Sequence, residues 1–530
     1  MEKAFEMGKT SATGSVQLLV GVATSTIIMA LGAIILGNLL TQDQYGLYAI
    51  ALVPSTFINL FRDWGINSAM TKHIASLRVS HRDEEIHDVI AAGVIFETVS
   101  GLALSFLSLL LATLIASFYN KPESASYIAI FSVTIISGSL LTASQAAFIG
   151  YERMELNSLT LISQAIVKTA IGPILVLLGY SILGAVIGSV LGSVTAGIIG
   201  LTIFYAILIR PLEKKRTRNF HITKTLKTML NYGLPLSISS ILGGVLAQIY
   251  AFMIIPLTTT AMYGNYAVAA NFTVLLTFFT IPIATVIFPA FAKINPENEP
   301  ELLKNVYASS IKYTSILVVP ATFVLMVLSG PMIGTLYGGK YAYGPFFQTL
   351  MVLGNLFVLM GSLSAGGLLT GLGKTRIPMY QSIATIIIGI PIGFFLIPTF
   401  GVTGFILAGI LSGIPSLAWG LFWIWKHYKA KADFKCSVKI FTASAIAALA
   451  AYPIVLLNIA NWLRLVIALA IFLAVYVLGA PLIGAVTQSD INNLREMFSG
   501  LGLLSKIINV PLRAAERAAL IVSSDKSRRP

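Results

Sequence analysis

Four ionisable side chains lie where water is scarce. Arg62 and Asp63 stand in NLFRDWGINSAM, Glu97 in VIFETVSG and Lys168 in SQAIVKTAIG, each inside or at the end of a long apolar run. Charge at bilayer depth is unfavourable and is tolerated mainly toward a partner or a wet cavity. Lys168 has about ten residues of its apolar run on either side, so its ammonium needs a carboxylate, a wet cavity or a bound anion. Arg62 offers a forked set of donors and Lys168 a point charge, a combination suited to a phosphate or pyrophosphate. Ser55, Asn59, Asp63 and Asn67 recur at i+4 and predict one polar stripe down one helix face. Thr160, Gln164 and Lys168 predict a second such row. Two readings stand for Arg62 and Asp63: they line a cavity, or they sit at the cytoplasmic interface and snorkel. Glu97 has three: a salt bridge to Lys168, a place in the cavity wall, or a carboxylate for a coupling proton or Na⁺, a role open to Asp63 as well.

The other polar groups at depth are neutral. Gln248, Asn271, Gln348, Asn355 and Gln381 are spaced through the expected second bundle. Amides suit sugar hydroxyls, and they also make helix–helix hydrogen bonds in membranes. The expected site is therefore Lys168 and Arg62 for a phosphate, with Asn59, Asp63, Gln164, Gln248, Asn271 and Asn355 along the walls.

The elements that carry these residues follow from composition. Of 530 residues, 56% are hydrophobic and 11% charged, against about 25% charged in a soluble domain. The apolar residues form runs of roughly 18–25, the length of a bilayer-crossing helix. About fourteen spans are expected, near 14–40, 45–70, 88–115, 126–148, 157–178, 181–209, 232–256, 264–291, 309–328, 343–370, 377–398, 401–426, 439–458 and 462–486. The runs are continuous rather than alternating, so they are helices and not barrel strands. The first run is too long for a signal-peptide core and reads as the first span.

An even number of spans places both termini on one side. That side then holds 31 of the 35 Lys and Arg, while Lys121, Lys340 and Arg464 face the other and Lys168 lies inside a span. The cation-rich side is cytoplasmic. The net charge of +14 thus sets orientation and faces anionic lipid, and nucleic acid is not an expected partner.

Short phrases repeat at nearly one offset. YGLYA at 45–49 returns as YGNYA at 263–267; Gly150-x-x-Arg153 returns as Gly371-x-x-Lys374; Gly184 has its counterpart in Gly404. Three echoes predict two six-helix lobes in parallel orientation, an all-α polytopic membrane protein with two further C-terminal helices. The expected domains are an N-lobe over 1–209, a basic cytoplasmic linker over 210–231, a C-lobe over 232–426, two extra spans over 427–486 and an amphipathic cytoplasmic tail over 487–530.

Several chemistries have no sequence basis. The five histidines lack metal-ligand spacing. GGLLTGLGK at 366–374 ends a spanning helix with no strand before it, so it is not a nucleotide loop. A single cysteine, Cys436, permits no internal disulfide. No acid pair or Ser/His set argues for hydrolysis or glycosyl transfer, and no cofactor is expected.

YGLYAIAL, DWGINSAMTKHIA, AFIGYERMELNSL, NYGLPLSISSIL and LLTGLGKTRIPMYQSI, in this order, resemble the polysaccharide/oligosaccharidyl-lipid flippase branch of the multidrug/oligosaccharidyl-lipid/polysaccharide exporter superfamily. The resemblance covers roughly 10–485. It implies a twelve-helix core in two lobes and the flipping of a polyprenyl-(pyro)phosphate-linked oligosaccharide across the cytoplasmic membrane, with glycan-assembly enzymes and membrane lipids as partners. It hands over no site residue. The rival within the superfamily is an ion-coupled multidrug or cation antiporter, for which Glu97 or Asp63 would be the acid. Lipid II flippases are nearer relatives with several cavity arginines, a role only Arg62 can take here.

Overall fold

The computed structural model describes residues 2–80, 82–210, 222–498 and 509–517. Half of the expected basic linker, 211–221, and the tail segments 499–508 and 518–530 lie outside the described residues. The chain is an all-α polytopic membrane protein with no strand among the described residues. In lipid a helix satisfies its own backbone groups, and these apolar runs leave no alternative.

Nine helical stretches among the described residues are long and apolar enough to cross a bilayer, or ten if the bent pair Gly344–Met360 and Ser362–Gly371 is one span. This is fewer than the fourteen expected, and the difference has a physical origin. Two of the nine, Met154–Leu208 and Arg376–Tyr428, hold 55 and 53 residues. At 1.5 Å per residue each would reach roughly 80 Å, far beyond a hydrocarbon core of about 30 Å. Each is broken by a glycine with positive φ, Gly179 at +95° and Gly401 at +57°. Other expected spans are split into shorter helices.

Two compact units emerge, Met1–Ala267 with Gly393–Phe405, and Val268–Ile392 with Ile406–Pro530. Unit 1 begins with α1 (Glu2–Leu39), α2 (Gln42–Asn59), α3 (Ile66–Val79) and α4 (Asp83–Phe118). It continues through α5 (Ala125–Phe131), α6 (Val133–Gly150), α7 (Met154–Leu175), α8 (Ser181–Phe204), α9 (Ile222–Ile254) and the start of α10 (Thr260–Thr273). Small residues set its packing. Gly21 and Gly32 of α1 leave room for Ser158 and Thr169 of α7, whose hydroxyls donate to the carbonyls of Gln17 and Ile28 at 3.0 Å. A Cβ on Gly188 of α8 would stand 2.3 Å from the backbone of Gly172. Such close backbone approach replaces the hydrophobic drive that lipid does not supply.

Unit 2 is built from α11 (Thr277–Ala292), α12 (Pro300–Val327), α13 (Ser329–Tyr337), α14 (Gly344–Leu353), α15 (Ser362–Gly371), parts of α16 (Arg376–Tyr428), α17 (Phe434–Leu456), α18 (Asn461–Leu482) and α19 (Gln488–Phe498). Asp490 caps α19 through Thr487 and pairs with Lys312 of α12 at 2.6 Å. Arg495 pairs with Glu516 of the helix at 509–517, at 2.7 Å.

The echoes in the sequence are local structural devices. Thr41 starts α2 with a capping box, accepting from Gln44 N while its own N–H donates to the Gln44 side chain. At the matching offset Thr259 accepts from Met262 N at 3.2 Å. The Gly-x-x-Arg and Gly-x-x-Lys phrases are helix stops. Arg153 N donates to Phe148 O and Lys374 N to Leu369 O, both at 2.8 Å, and the residue before each cation, Glu152 or Gly373, has positive φ. This is the six-to-one closure of a left-handed C-cap. Gly184 and Gly404 pack on the ends of the preceding helices, where a Cβ would strike Leu175 and Leu396.

Gly373 has φ +71° and open space around its Cβ direction, so conformation alone decides what a side chain does there. Gly373→Ala should lower stability by about 1–2 kcal/mol, the left-handed penalty for an L-residue, measured as the thermal midpoint in detergent.

Candidate functional site

The second expected span is not one helix. α2 ends at Asn59 and α3 begins at Ile66, with a non-helical elbow over 60–65. Gly65 holds φ +77° as the cap of α3. The Asp63 carboxylate accepts from Asn67 N at 3.2 Å, filling one of the donors that a helix start leaves open. Asp63 thereby competes with helix continuation, as short polar side chains do. The elbow is fastened to α9. The Asp63 carbonyl accepts from Ser237 Oγ at 2.9 Å, and Gly65 meets Gly233 so closely that a Cβ on it would lie 2.1 Å from the Gly233 carbonyl. The expected straight stripe from Ser55 to Asn67 is therefore corrected: it is interrupted after Asn59, and Asp63 is a helix cap.

The elbow turns Arg62 into the protein. Arg62 is 8% exposed and Glu97, on α4, is 0% exposed. Arg62 Nε stands 3.5 Å from Glu97 Oε2, and Nη2 donates to Thr142 Oγ1 of α6 at 2.9 Å. Asn67 Nδ2 donates to the other carboxylate oxygen, Glu97 Oε1, at 2.9 Å. Gly138 makes room for the guanidinium, since a Cβ there would be 3.1 Å from Nη1. Residues from α3, α4, α6 and the elbow thus form one buried polar cluster. Snorkelling to the interface is corrected by the burial of Arg62. The Glu97–Lys168 bridge is corrected too, because the carboxylate is occupied by Arg62 and Asn67.

Lys168 makes none of these contacts. It is half-buried on α7 with its stem against α8, where a Cβ on Gly192 would lie 2.8 Å from Lys168 Cβ. Among the described residues it forms no ion pair. Gln164, one turn earlier, is also half-buried, and its carbonyl lies 3.0 Å from the same Gly192 position. Among the described residues, Arg62 and Lys168 share no hydrogen-bond partner.

The other expected wall residues divide. Asn59 is half-buried and its Oδ1 is enclosed with no hydrogen bond. Gln248 accepts from Thr56 of α2 at 3.3 Å. In unit 2, Asn271 faces the Tyr337 hydroxyl, and Asn355 turns back to the Val352 carbonyl at 3.2 Å. Gln348 donates to Leu325 O and Gln381 to Ser416 O, which makes both of them helix–helix contacts. An apolar cavity of about 640 Å³ in unit 2 is lined mostly by aliphatic and aromatic side chains of α12 and α18, with Leu275, Phe278, Pro511 and Leu512. It can take hydrocarbon and offers no cation to a phosphate.

Thr142 and Gly138 were not singled out from the sequence. Their signal was an i+4 pair of small residues on α6 in SGSLLTASQ. Asn67 was read as part of the stripe, and the structure adds its bond to Glu97.

Attraction between buried ions roughly offsets their loss of hydration, but a partner left alone is costly. Glu97→Ala should lower stability by about 3–5 kcal/mol. Arg62→Met together with Glu97→Leu should recover most of that loss, a non-additive double-mutant cycle measured by unfolding in detergent.

Comparison with known proteins places this architecture. The model of the polysaccharide biosynthesis protein family matches residues 11–295. The chain is 24% identical over 194 residues to the probable low-salt glycan biosynthesis flippase Agl15 of Haloferax volcanii, a match over 36% of this chain and 40% of that one. Its fold is similar to that of the lipid II flippase MurJ in an inward closed conformation, with TM-score 0.70, 18% identity, and coverage of 87% of this chain and 97% of MurJ. It is also similar to an inward-facing multidrug resistance MATE family transporter, with TM-score 0.63, 14% identity, and coverage of 78% and 99%. The chain belongs to the polysaccharide biosynthesis protein family, the branch of the multidrug/oligosaccharidyl-lipid/polysaccharide exporter superfamily that its motifs resemble.

Proposed function

We propose that this protein flips a polyprenyl-phosphate- or pyrophosphate-linked oligosaccharide from the inner to the outer leaflet of the cytoplasmic membrane by alternating access, with both termini in the cytoplasm. One observation carries the reading. Lys168 bears its charge inside an apolar span and has no carboxylate partner among the described residues. An ammonium so placed calls for an anion, and a phosphate head brought in by a lipid supplies one. The glycan biosynthesis flippase among the relatives supports the same substrate class.

Arg62 has the second role. Its charge is already balanced by Glu97, so it holds the elbow and offers Nη1, which makes no hydrogen bond among the described residues. Neutral amides such as Gln164 and Gln248 suit the sugars, and the polyprenyl chain stays in lipid. The driving force is a proton or Na⁺ gradient, or the gradient of the glycolipid itself. Glycan-assembly enzymes at the inner face would supply the substrate.

A second reading is an ion-coupled multidrug or cation antiporter. The likeness to a multidrug transporter and the buried carboxylate of Glu97 favour it. Against it, the carboxylate is neutralised by Arg62, and Lys168 would repel a cationic drug.

Lys168→Ala should abolish glycan export in a flippase-deficient strain at unchanged protein level, while Lys168→Arg retains part of it. Full export by well-expressed Lys168→Ala would remove the phosphate role. Drug efflux with unchanged glycans on depletion would select the antiporter.

A further inference from the structure

Lys121 is one of three cations on the side opposite the termini, which the charge asymmetry assigns to the outside. A lysine in an outer connector would ordinarily reach into water. This one is 7% exposed, and its Nζ donates to the carbonyls of Ile255 and Thr258, both at 2.9 Å. Those carbonyls lie just past the end of α9, where a helix leaves acceptors without intrahelical donors. The lysine cannot swing freely. Asn120 before it holds φ +54°, Lys121 N donates to Ala116 O at 3.0 Å, and the Lys121 carbonyl accepts from Ser124 Oγ at 2.7 Å. The connector between α4 and α5 is thus a rigid mount that aims an ammonium at the turn between α9 and α10.

Two further contacts join the N-terminal turns of α10 and α2. Asp43 and Thr260 hydrogen-bond, and Asn265 Nδ2 donates to Gln42 Oε1 at 3.2 Å. Between them the repeated Tyr-Gly phrases meet backbone to backbone: a Cβ on Gly46 would lie 1.8 Å from Thr260 O, and one on Gly264 would lie 2.4 Å from Gln42 O. Beneath them Tyr119 packs on Phe252 and Phe252 on Phe57, with ring centroids 5.4 and 5.1 Å apart. The first turn of α2 and the α4–α5 connector come from the first half of the sequence repeat. The α9–α10 turn opens the second half. The tie between them is made of hydrogen bonds at a water-facing end, which water can replace when the parts separate.

We propose that Lys121 is the latch of an outer gate: its ammonium clamps the α9–α10 turn to the α4–α5 connector and releases the Ile255 and Thr258 carbonyls when the protein opens to the outside. This rests on the alternating-access reading above, and the test separates the two.

In full-length protein with Cys436→Ser, the substitution Ile255→Cys places a thiol at a fully buried position and leaves its carbonyl in place. A membrane-impermeant maleimide added from the outside should react slowly. Adding Lys121→Met should raise the labelling rate at least tenfold, and Lys121→Arg should keep it near the starting value. An unchanged rate in folded Lys121→Met, judged by its thermal midpoint, overturns the latch. A second arm keeps Lys121. Asp43→Cys with Thr260→Cys is oxidised, and glycan export should stop and return with dithiothreitol. Export that continues with cross-linking complete also overturns it. Labelling needs no substrate, so a response there together with unaltered export by Lys168→Ala sinks the phosphate reading and leaves the latch standing.

Discussion

An arginine and a glutamate, 35 positions apart in sequence, face each other in a setting that excludes water. Neither ion is tolerable alone at that depth, so each dictates where the other must be. The constraint propagates outward. To bring Arg62 to Glu97 the second span must abandon helical geometry, and the elbow over 60–65 does this. The elbow requires Gly65 in a left-handed conformation, an acid at 63 to cap α3, and a glycine at 233 to receive the close backbone. Gly138 and Thr142 then complete the wall around the guanidinium. One ion pair accounts for the shape of five elements.

Polar groups elsewhere follow the same economy. In hydrocarbon a backbone donor or acceptor has no water to turn to, so every break in a helix must be repaired by a neighbour. Ser237 repairs the elbow, and at helix ends nearer water Lys121 does the same for α9 and Thr487 with Asp490 for α19. Most hydroxyls bond back to their own helix and leave the surface inert. Against that background Lys168 is conspicuous, because its ammonium is met by no carboxylate among the described residues. Stability does not explain such a residue, which is why it carries the functional reading.

Two glycine contacts, elbow to α9 and α2 to α10, share a close backbone approach and differ in what surrounds it. At Gly65 and Gly233 backbone meets backbone, with the cation of Lys72 3.8 Å above the Tyr232 ring. At Gly46 and Gly264 backbone again meets backbone, with a buried ammonium and side-chain hydrogen bonds around it. Glycine allows close approach without interlocking side chains, so such contacts can part without repacking a core.

Sequence alone determined the solvent and the element type. Long apolar runs admit only helices in lipid, and cations gathered in some connectors give an expected orientation by the positive-inside rule. The structure shows that the repeated phrases carry local devices whose partners are near in the chain: Thr41 with Gln44 and Gly-x-x-Arg at a helix stop act within six residues. Pairing at a distance was not legible. Periodicity joined Asp63 to an unbroken stripe because i+4 spacing says nothing about whether a helix continues. Glu97 was matched with Lys168 or left unpaired because charge alone does not choose between two cations. Tertiary structure decided for Arg62, since only folding brings α3, α4 and α6 side by side. It also decided that Lys121, outwardly a plain loop cation, is buried on two carbonyls more than a hundred residues away.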